Sequence, residues 1–395
     1  MRYYYMGTDI LMSKALISFR KVLLSSWKPT IEAVVTFDWI EFFESASEWK
    51  TLWLNETQNN WCYYNWDFSF ELDEFDQESF DKEIVNKSSS QVSTALSCAC
   101  MRAYVYKKWY TSQELFKYFS DTYWNSGNLT NVISNILNWS KHAANKLSFC
   151  EFMIIPQWST TYENIKIISQ VYLDLWRIIE YELGKSNLYI WREWWFAPQL
   201  YSNESAVILI EKAINTRNKW KCKIAIDVAA NSFSSKKGGI FIYNVDWKDI
   251  STNMFIEYYC KLLEKHPNII YLEDPFHEED IEWWKNLYSL MWENISIVAD
   301  DLTITKSNNI EQYQWMFNAC ILKLNQAWSL SELINCYNIC NKYWIKTIIS
   351  QRSWETDSNL VSHIAFWLWA NYLKAGAPAR ERIIKYNELL RISSK

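Results

Sequence analysis

Six strand-like runs in this chain end in residues that can hold a cation or move a proton. KIAID closes on Asp227, IIYLED on Glu273 and Asp274, SIVADD on Asp300 and Asp301, ACILKLN on Lys323 and TIISQRS on Gln351 and Arg352, while Lys374 follows a further apolar stretch. Three carboxylates converging in a partly dry cavity repel one another and raise each other's pKa unless a cation compensates. Hard oxygen ligands with few competing His or Cys favour Mg2+. Taken singly, each residue has a duller explanation: an acid after a strand is commonly a helix N-cap, and a Lys there is commonly solvated. As a set they call for a divalent metal.

From Asp227 through Glu273, Asp300, Lys323 and Gln351 to Lys374 the intervals are 46, 27, 23, 28 and 23 residues. After the first, each is close to one βα unit. Strand C-termini of a parallel barrel all point to one face, where active sites sit, so separate segments would deliver these groups to one mouth. Short apolar runs do alternate with helical stretches such as YENIKIISQVYLDLWRIIEYEL, MFIEYYCKLLEKH and SLSELINCYNICNKYW from about Asn128 onward, which predicts βα units and a mostly parallel sheet. Before that, KALISFRKVLL and PTIEAVVTF read as strands and are followed by helices. The expected organisation is an α/β protein with an N-terminal α+β capping domain over residues 14–125 and a C-terminal β/α barrel over residues 126–395. Met12 opens a fresh segment, so residues 1–11 are read as an upstream extension.

Composition narrows the function classes. With 395 residues, 49% hydrophobic and 22% charged, the chain can bury a large core, which excludes disordered and collagen-like classes. A formal charge of −5 is not the footprint of a nucleic-acid or anionic-membrane binder, so small ligands are expected. No run approaches a membrane span and the start lacks a signal-peptide pattern, which together predict a soluble cytoplasmic chain with no membrane insertion. The nine Cys lack paired metal spacing, and Cys98, Cys100, Cys336 and Cys340 have no nearby His partner; reduced structural thiols are expected.

At these same residues the chain resembles the enolases, the phosphopyruvate hydratases, over nearly its whole length from about residue 20. The matching blocks are LLSSWKPTIEAVV, NWSKHA, CEFMIIP, IWREWWFAPQL, IAIDVAANSF, YLEDPF, VADDLTITK, ILKLNQAWSLSE, ISQRSWET and KAGAPARERIIKYNELLRI. The resemblance implies an enolase-type barrel that dehydrates 2-phospho-D-glycerate reversibly to phosphoenolpyruvate in glycolysis. It also implies two Mg2+ per site, a cytoplasmic homodimer and, as in other family members, a secondary cell-surface pool.

By resemblance, Asp227, Glu273 and Asp300 are ligands of the tighter Mg2+, and Ser47 in ESASEWK is the mobile-loop residue that reaches the second when the N-terminal domain closes as a lid. Lys323 is the base that takes the α-proton, and Lys374 supports its neutral state and the substrate carboxylate. Glu193 is the general acid, with Glu151 its helper, and His142 is the loop His. Arg352 and Ser353 form the phosphate site, where a guanidinium suits oxyanion geometry, and Gln351 adjoins it.

The chain departs from the family pattern at Gln351 in place of His, Arg192 in place of Asp, Cys150 in place of Gln and Glu48 in place of Thr. Gln351 can donate a hydrogen bond but cannot shuttle protons. Arg192 places a cation beside Glu193. These changes motivate a rival reading, a catalytically weakened paralogue serving as a binding or scaffold protein. A second rival, a related metal-dependent enzyme acting on another carboxylate, fits SQRS and ESAS less well.

The chain has 6 Gly and 25 Trp, where average usage predicts roughly 28 Gly. Trp27, Trp139, Trp191, Trp194, Trp195, Trp283, Trp328, Trp354, Trp367 and Trp369 stand where the family pattern has Gly, whereas Trp284 matches a family Trp. The expectation is that many of these Trp are Gly in the native polypeptide, as happens when UGA codons decoded as glycine are rendered as tryptophan.

Overall fold

The computed structural model describes residues 14–48, 69–72, 75–108, 131–138, 146–191, 193–217 and 221–394. At the N-terminal end, β1 (Lys14–Leu23), β2 (Pro29–Phe37), β3 (Ile40–Ser45) and β4 (Ser69–Glu71) form an antiparallel sheet in the order β3-β2-β1-β4. Two helices, α1 (Gln77–Lys87) and α2 (Ser90–Lys107), cover one face. Alternation along β1 and β2 sends Ala15, Ile17, Ala33, Val35 and Phe37 into a core shared with Ile84, Leu96 and Ala99 of the helices. The expected boundary at residues 125 and 126 falls outside the described residues.

Eight strands then close a barrel: β5 (Asn131–Asn138), β6 (Glu151–Pro156), β9 (Cys222–Asp227), β13 (Ile269–Glu273), β14 (Ser296–Ala299), β15 (Ala319–Leu322), β16 (Lys346–Ser350) and β17 (Tyr372–Ala375), with β17 pairing back onto β5. Between them, β7 (Ile190–Trp191) and β8 (Trp195–Phe196) extend the sheet, and β10 (Ser234–Lys237), β11 (Ile240–Val245) and β12 (Lys248–Ser251) form a separate meander. Within the barrel only β6 runs antiparallel to its neighbours. β6 thus returns in the opposite sense, a reversal that apolar periodicity does not encode.

Helices α3 (Thr161–Leu183), α4 (Asn203–Arg217), α5 (Thr252–Lys265), α6 (Ile281–Met291), α7 (Ser307–Tyr313), α8 (Leu324–Ala327), α9 (Leu330–Lys342), α10 (Leu360–Trp367) and α11 (Ile383–Ser393) account for the helical stretches outside the strands. Their apolar faces and the outward strand residues make one large core. The inward residues Ile133, Met153, Ile155, Ala225, Tyr271, Val298, Ile321 and Ile348 fill the barrel, which is packed rather than hollow. No helix among the described residues is long and apolar enough to cross a membrane. The described cysteines are free thiols.

Candidate active site

Strand register explains why the charged residues meet. Because β6 is reversed, its first residue, Glu151, lies at the same end of the barrel as the last residues of the parallel strands. Glu151 is level with Asp227, and Asp227 with Glu273. Lys374 on β17 is level with Ser350, which closes β16. Asp300, Lys323 and Gln351 directly follow β14, β15 and β16.

Lys374 is the hub. Its Nζ lies 2.7 and 2.8 Å from the two Glu273 carboxylate oxygens, 2.9 Å from Glu151 Oε2 and 3.3 Å from Asp227 Oδ2. Lys323 Nζ donates to Asp300 Oδ2. All of these side chains are buried. Burial alone would lower the Lys374 pKa, but Glu151, Glu273 and Asp227 overcome it and hold the ammonium well above its ordinary range. Burial pushes the Asp227 carboxyl well up, with Glu273 adding to the shift and Lys374 opposing it. Glu273 moves up for the same first reason. Asp300 goes the other way, because Lys323 and Lys374 outweigh its burial.

This donor set fits a hard cation. Buried Asp227 Oδ1 and Asp300 Oδ1 have no hydrogen-bond partner among the described residues, and unsatisfied carboxylate oxygens in a dry site are costly. Asp274, Asp300 and Asp301 also bring carboxylate oxygens within 4.8 Å of one another. Asp274, however, is already engaged: its Oδ1 and Oδ2 each accept a backbone N–H, from Asp300 and Asp301, at 3.0 Å. It therefore clamps the Asp300–Asp301 turn through the backbone and leaves Asp300 Oδ1 open. Tyr271 acts similarly on Glu273, its buried hydroxyl donating to Oε2 at 2.6 Å.

Next to this cluster, near enough to feel the charges of Glu151 and Lys374, sits Glu193, in the turn between β7 and β8. Burial raises its pKa to about 7, with Arg382 opposing and Glu151 adding. Gln351 Nε2 donates to Glu193 Oε2 at 2.9 Å, so the amide in the position after β16 orients the acid by hydrogen bonding. The Glu193 backbone carbonyl accepts from Ala377 N at 3.2 Å. Gly376 makes this approach possible: a Cβ there would stand 3.0 Å from Glu193 Cβ and 3.1 Å from Glu193 O.

The loop carrying Arg352 and Ser353 is pinned from below. Fully buried Arg382 donates to the carbonyls of Arg352 and Ser353 at 2.7 and 2.6 Å. Glu355 accepts from Arg352 N at 2.7 Å and pairs with Lys385 at 3.1 Å. Although burial opposes its charge, Lys385 and Arg382 lower the Glu355 pKa. The buried Ser353 Oγ has no hydrogen-bond partner among the described residues. A buried guanidinium and hydroxyl on a loop pinned in this way suit an oxyanion.

Ser47 reaches this side of the mouth from the N-terminal sheet. With Ser45, Ser350 and Arg352 it lines a cavity of about 30 Å3. Glu48 and Trp354 exchange backbone hydrogen bonds at 2.9 and 3.0 Å, and Ser25 N donates to Glu355 O at 2.8 Å. His142 and Arg192 lie outside the described residues. The structure thus brings the remaining sequence-selected residues to one end of the barrel.

Sequence reasoning passed over four supporting roles. Tyr271 had a signal, since strand alternation places it on the same face as Glu273. Asp274 was visible as a strand-end acid, but its backbone partners were not. Arg382 and Lys385 sit among other charged residues in RERIIK, with nothing local to mark them as buried.

The fold and mouth define a β/α-barrel protein with the groups for metal-assisted proton transfer. Residues 128–395 match the family "Enolase, C-terminal TIM barrel domain". The chain is 34% identical to the enolase of Methanosarcina mazei over 284 residues, covering 70% of this chain and 64% of the relative. It is 35% identical to that of Methanosarcina barkeri over 264 residues, 65% and 60% of the two chains. With the enolase of Methanococcus maripaludis the identity is 32% over 289 residues, 72% and 66%. The chain belongs to the enolase family. Its matches span about two thirds or less of the length of these relatives.

Proposed function

We propose that this protein is a working enolase, a hydro-lyase that interconverts 2-phospho-D-glycerate and phosphoenolpyruvate, with a place in glycolysis and gluconeogenesis. What carries the reading is the presence, in one buried mouth, of a lysine-and-carboxylate cluster together with a carboxyl whose pKa is raised to about 7. Proton abstraction beside a carboxylate and loss of a β-hydroxyl need a base and an acid on opposite sides of the substrate.

Arg352 and Ser353 bind the phosphate, and Lys374 and Gln351 help hold the remainder of the substrate. Lys323 takes the proton from C2, and the electron pair moves into the C1 carboxylate. That pair then forms the C2–C3 double bond as the C3–O bond breaks, and Glu193 gives its proton to the departing hydroxyl, releasing water. Glu151, close to Lys374, assists Glu193, and His142 belongs to a loop over the site. Asp227, Glu273 and Asp300 would hold one Mg2+ and Ser47 would reach a second, and the ions would supply positive charge where the substrate carboxylate gains negative charge. A cytoplasmic homodimer completes the proposal.

The test is absorbance of the enol product after 2-phosphoglycerate and Mg2+ are added to the purified protein. Turnover is expected, and Lys323→Ala should lower kcat by on the order of 10²–10⁴-fold, the usual worth of a positioned base. Folded protein that binds 2-phosphoglycerate without turning it over would overturn the catalytic reading in favour of a scaffold.

A further inference from the structure

Among the described residues, fourteen non-glycine positions have positive φ, and seven of these are tryptophan: Trp27, Trp39, Trp194, Trp247, Trp328, Trp344 and Trp369, at 66°, 63°, 65°, 68°, 73°, 59° and 55°. For a bulky L-residue this region is a steric outlier. The local hydrogen bonding shows what each position is for.

Asp38–Trp39 and Asp246–Trp247 are two-residue hairpin loops, joining β2 to β3 and β11 to β12, with both residues at positive φ. That is the turn for which Asp-Gly and Asn-Gly are favoured. The preceding hairpin of the same meander, β10 to β11, meets the same demand with Gly238–Gly239 at 61° and 85°. Trp27 closes the loop between β1 and β2, its N–H donating to Leu24 O while Leu24 N–H reaches Lys28 O. Trp194 turns the chain between β7 and β8.

The other three end helices. Trp344 follows α9: its N–H donates to Asn341 O, and Ile345 N–H reaches back to Cys340 O. Trp369 repeats the pattern after α10, with Trp369 N to Phe366 O and Ala370 N to Ala365 O. These are Schellman caps, whose left-handed residue is usually glycine. Trp328 takes the left-handed position after α8.

Burial offers no compensation at the clearest sites, since Trp27, Trp39 and Trp344 are more than four-fifths exposed. Trp194 is half-buried against the main core with Arg380 over its ring, while Trp247 and Trp328 have Lys146 and Lys306 over theirs and the Trp247 indole N–H donates to the Lys146 carbonyl. By contrast Trp284 lies inside α6 at helical geometry, wholly buried, with its indole N–H on His277 O at 3.2 Å.

We infer that glycine occupies these seven positions in the native polypeptide. Trp39, Trp247 and Trp344 are assigned by backbone geometry alone, without any family correspondence. Trp194 directly follows Glu193 in the turn between β7 and β8, so there the exchange falls beside the active mouth. The assignment stands whether or not the protein is a working enolase.

Peptide mass mapping of the protein isolated from its own cells tests it directly. Peptides spanning the seven positions are expected to carry glycine, and the peptide spanning Trp284 to carry tryptophan; in the gene, UGA should stand at the seven and UGG at 284. Tryptophan in the native peptides overturns the assignment at each position where it is found. Glycine at 284 as well would overturn the geometric argument, because that site has no use for it. In recombinant protein carrying the tryptophans, Trp39→Gly and Trp247→Gly should each raise the melting temperature, and a fall would count against the inference.

Discussion

A carboxyl that must give up a proton near neutrality has to be held back from ionising, and Glu193 is held back mainly by burial, with its pKa raised to about 7. An acid donates only while protonated. Dehydration should therefore slow as pH rises through about 7, and the limb should disappear in Glu193→Gln, whose residual rate no longer titrates there. A pH profile of kcat checks this, and an unchanged alkaline limb in the variant would assign the limb to another group. At this scale much of the site was legible: the acids and lysines that close successive apolar runs are the ones gathered at the mouth. Charge state was not, because it depends on neighbours that sequence does not pair. Lys374 could be listed as charged, but its contacts with Glu151, Asp227 and Glu273 arise from register between strands far apart in the chain.

Elements decide how accurately those residues are held. The alternation of apolar runs and helices revealed the barrel, yet the reversed β6 was invisible, and with it the reason that Glu151 at a strand's start meets Asp227 at a strand's end. Similarly, KAGAPAR contains one of the few remaining glycines, and only the close approach of β17's continuation to the Glu193 turn explains it. Gly376→Ala would put a methyl carbon 3.0 Å from Glu193 Cβ and 3.1 Å from its carbonyl oxygen. Backbone on one side cannot yield as a flexible side chain would, so the turn must shift. The expected cost is about 1–3 kcal/mol of stability, typical of overpacking, with kcat lowered more than substrate affinity because the acid moves while the Arg352 loop stays pinned by Arg382. Thermal melting together with the split between kcat and KM checks it; equal stability and kcat would show that the turn has room to spare.

For the whole molecule, the decisive quantity is the balance of charge inside the mouth. Glu151, Asp227, Glu273, Asp274, Asp300 and Asp301 are all buried there, facing Lys323, Lys374 and Arg352, so the carboxyls outnumber the cations. Burial keeps Asp227, Asp274 and Asp301 protonated well above the usual carboxylate range, whereas the unfolded chain ionises them at ordinary values. The metal-free fold thus binds more protons than the unfolded chain, and their contribution to stability is lost as pH rises from the acid range toward the raised folded values. Mg2+ requires ionised ligands and displaces those protons. Its stabilisation should then grow with pH, reaching about 2.7 kcal/mol once the ion is at roughly a hundred times its dissociation constant. Melting curves with Mg2+ and with a chelator, taken on both sides of neutrality, measure the gap directly. It should widen at alkaline pH and shrink in Asp300→Asn, which removes charge from the carboxylate with an unpartnered buried oxygen. A gap that is absent, or that narrows as pH rises, would mean that lysines alone balance the mouth and that the metal assignment is wrong.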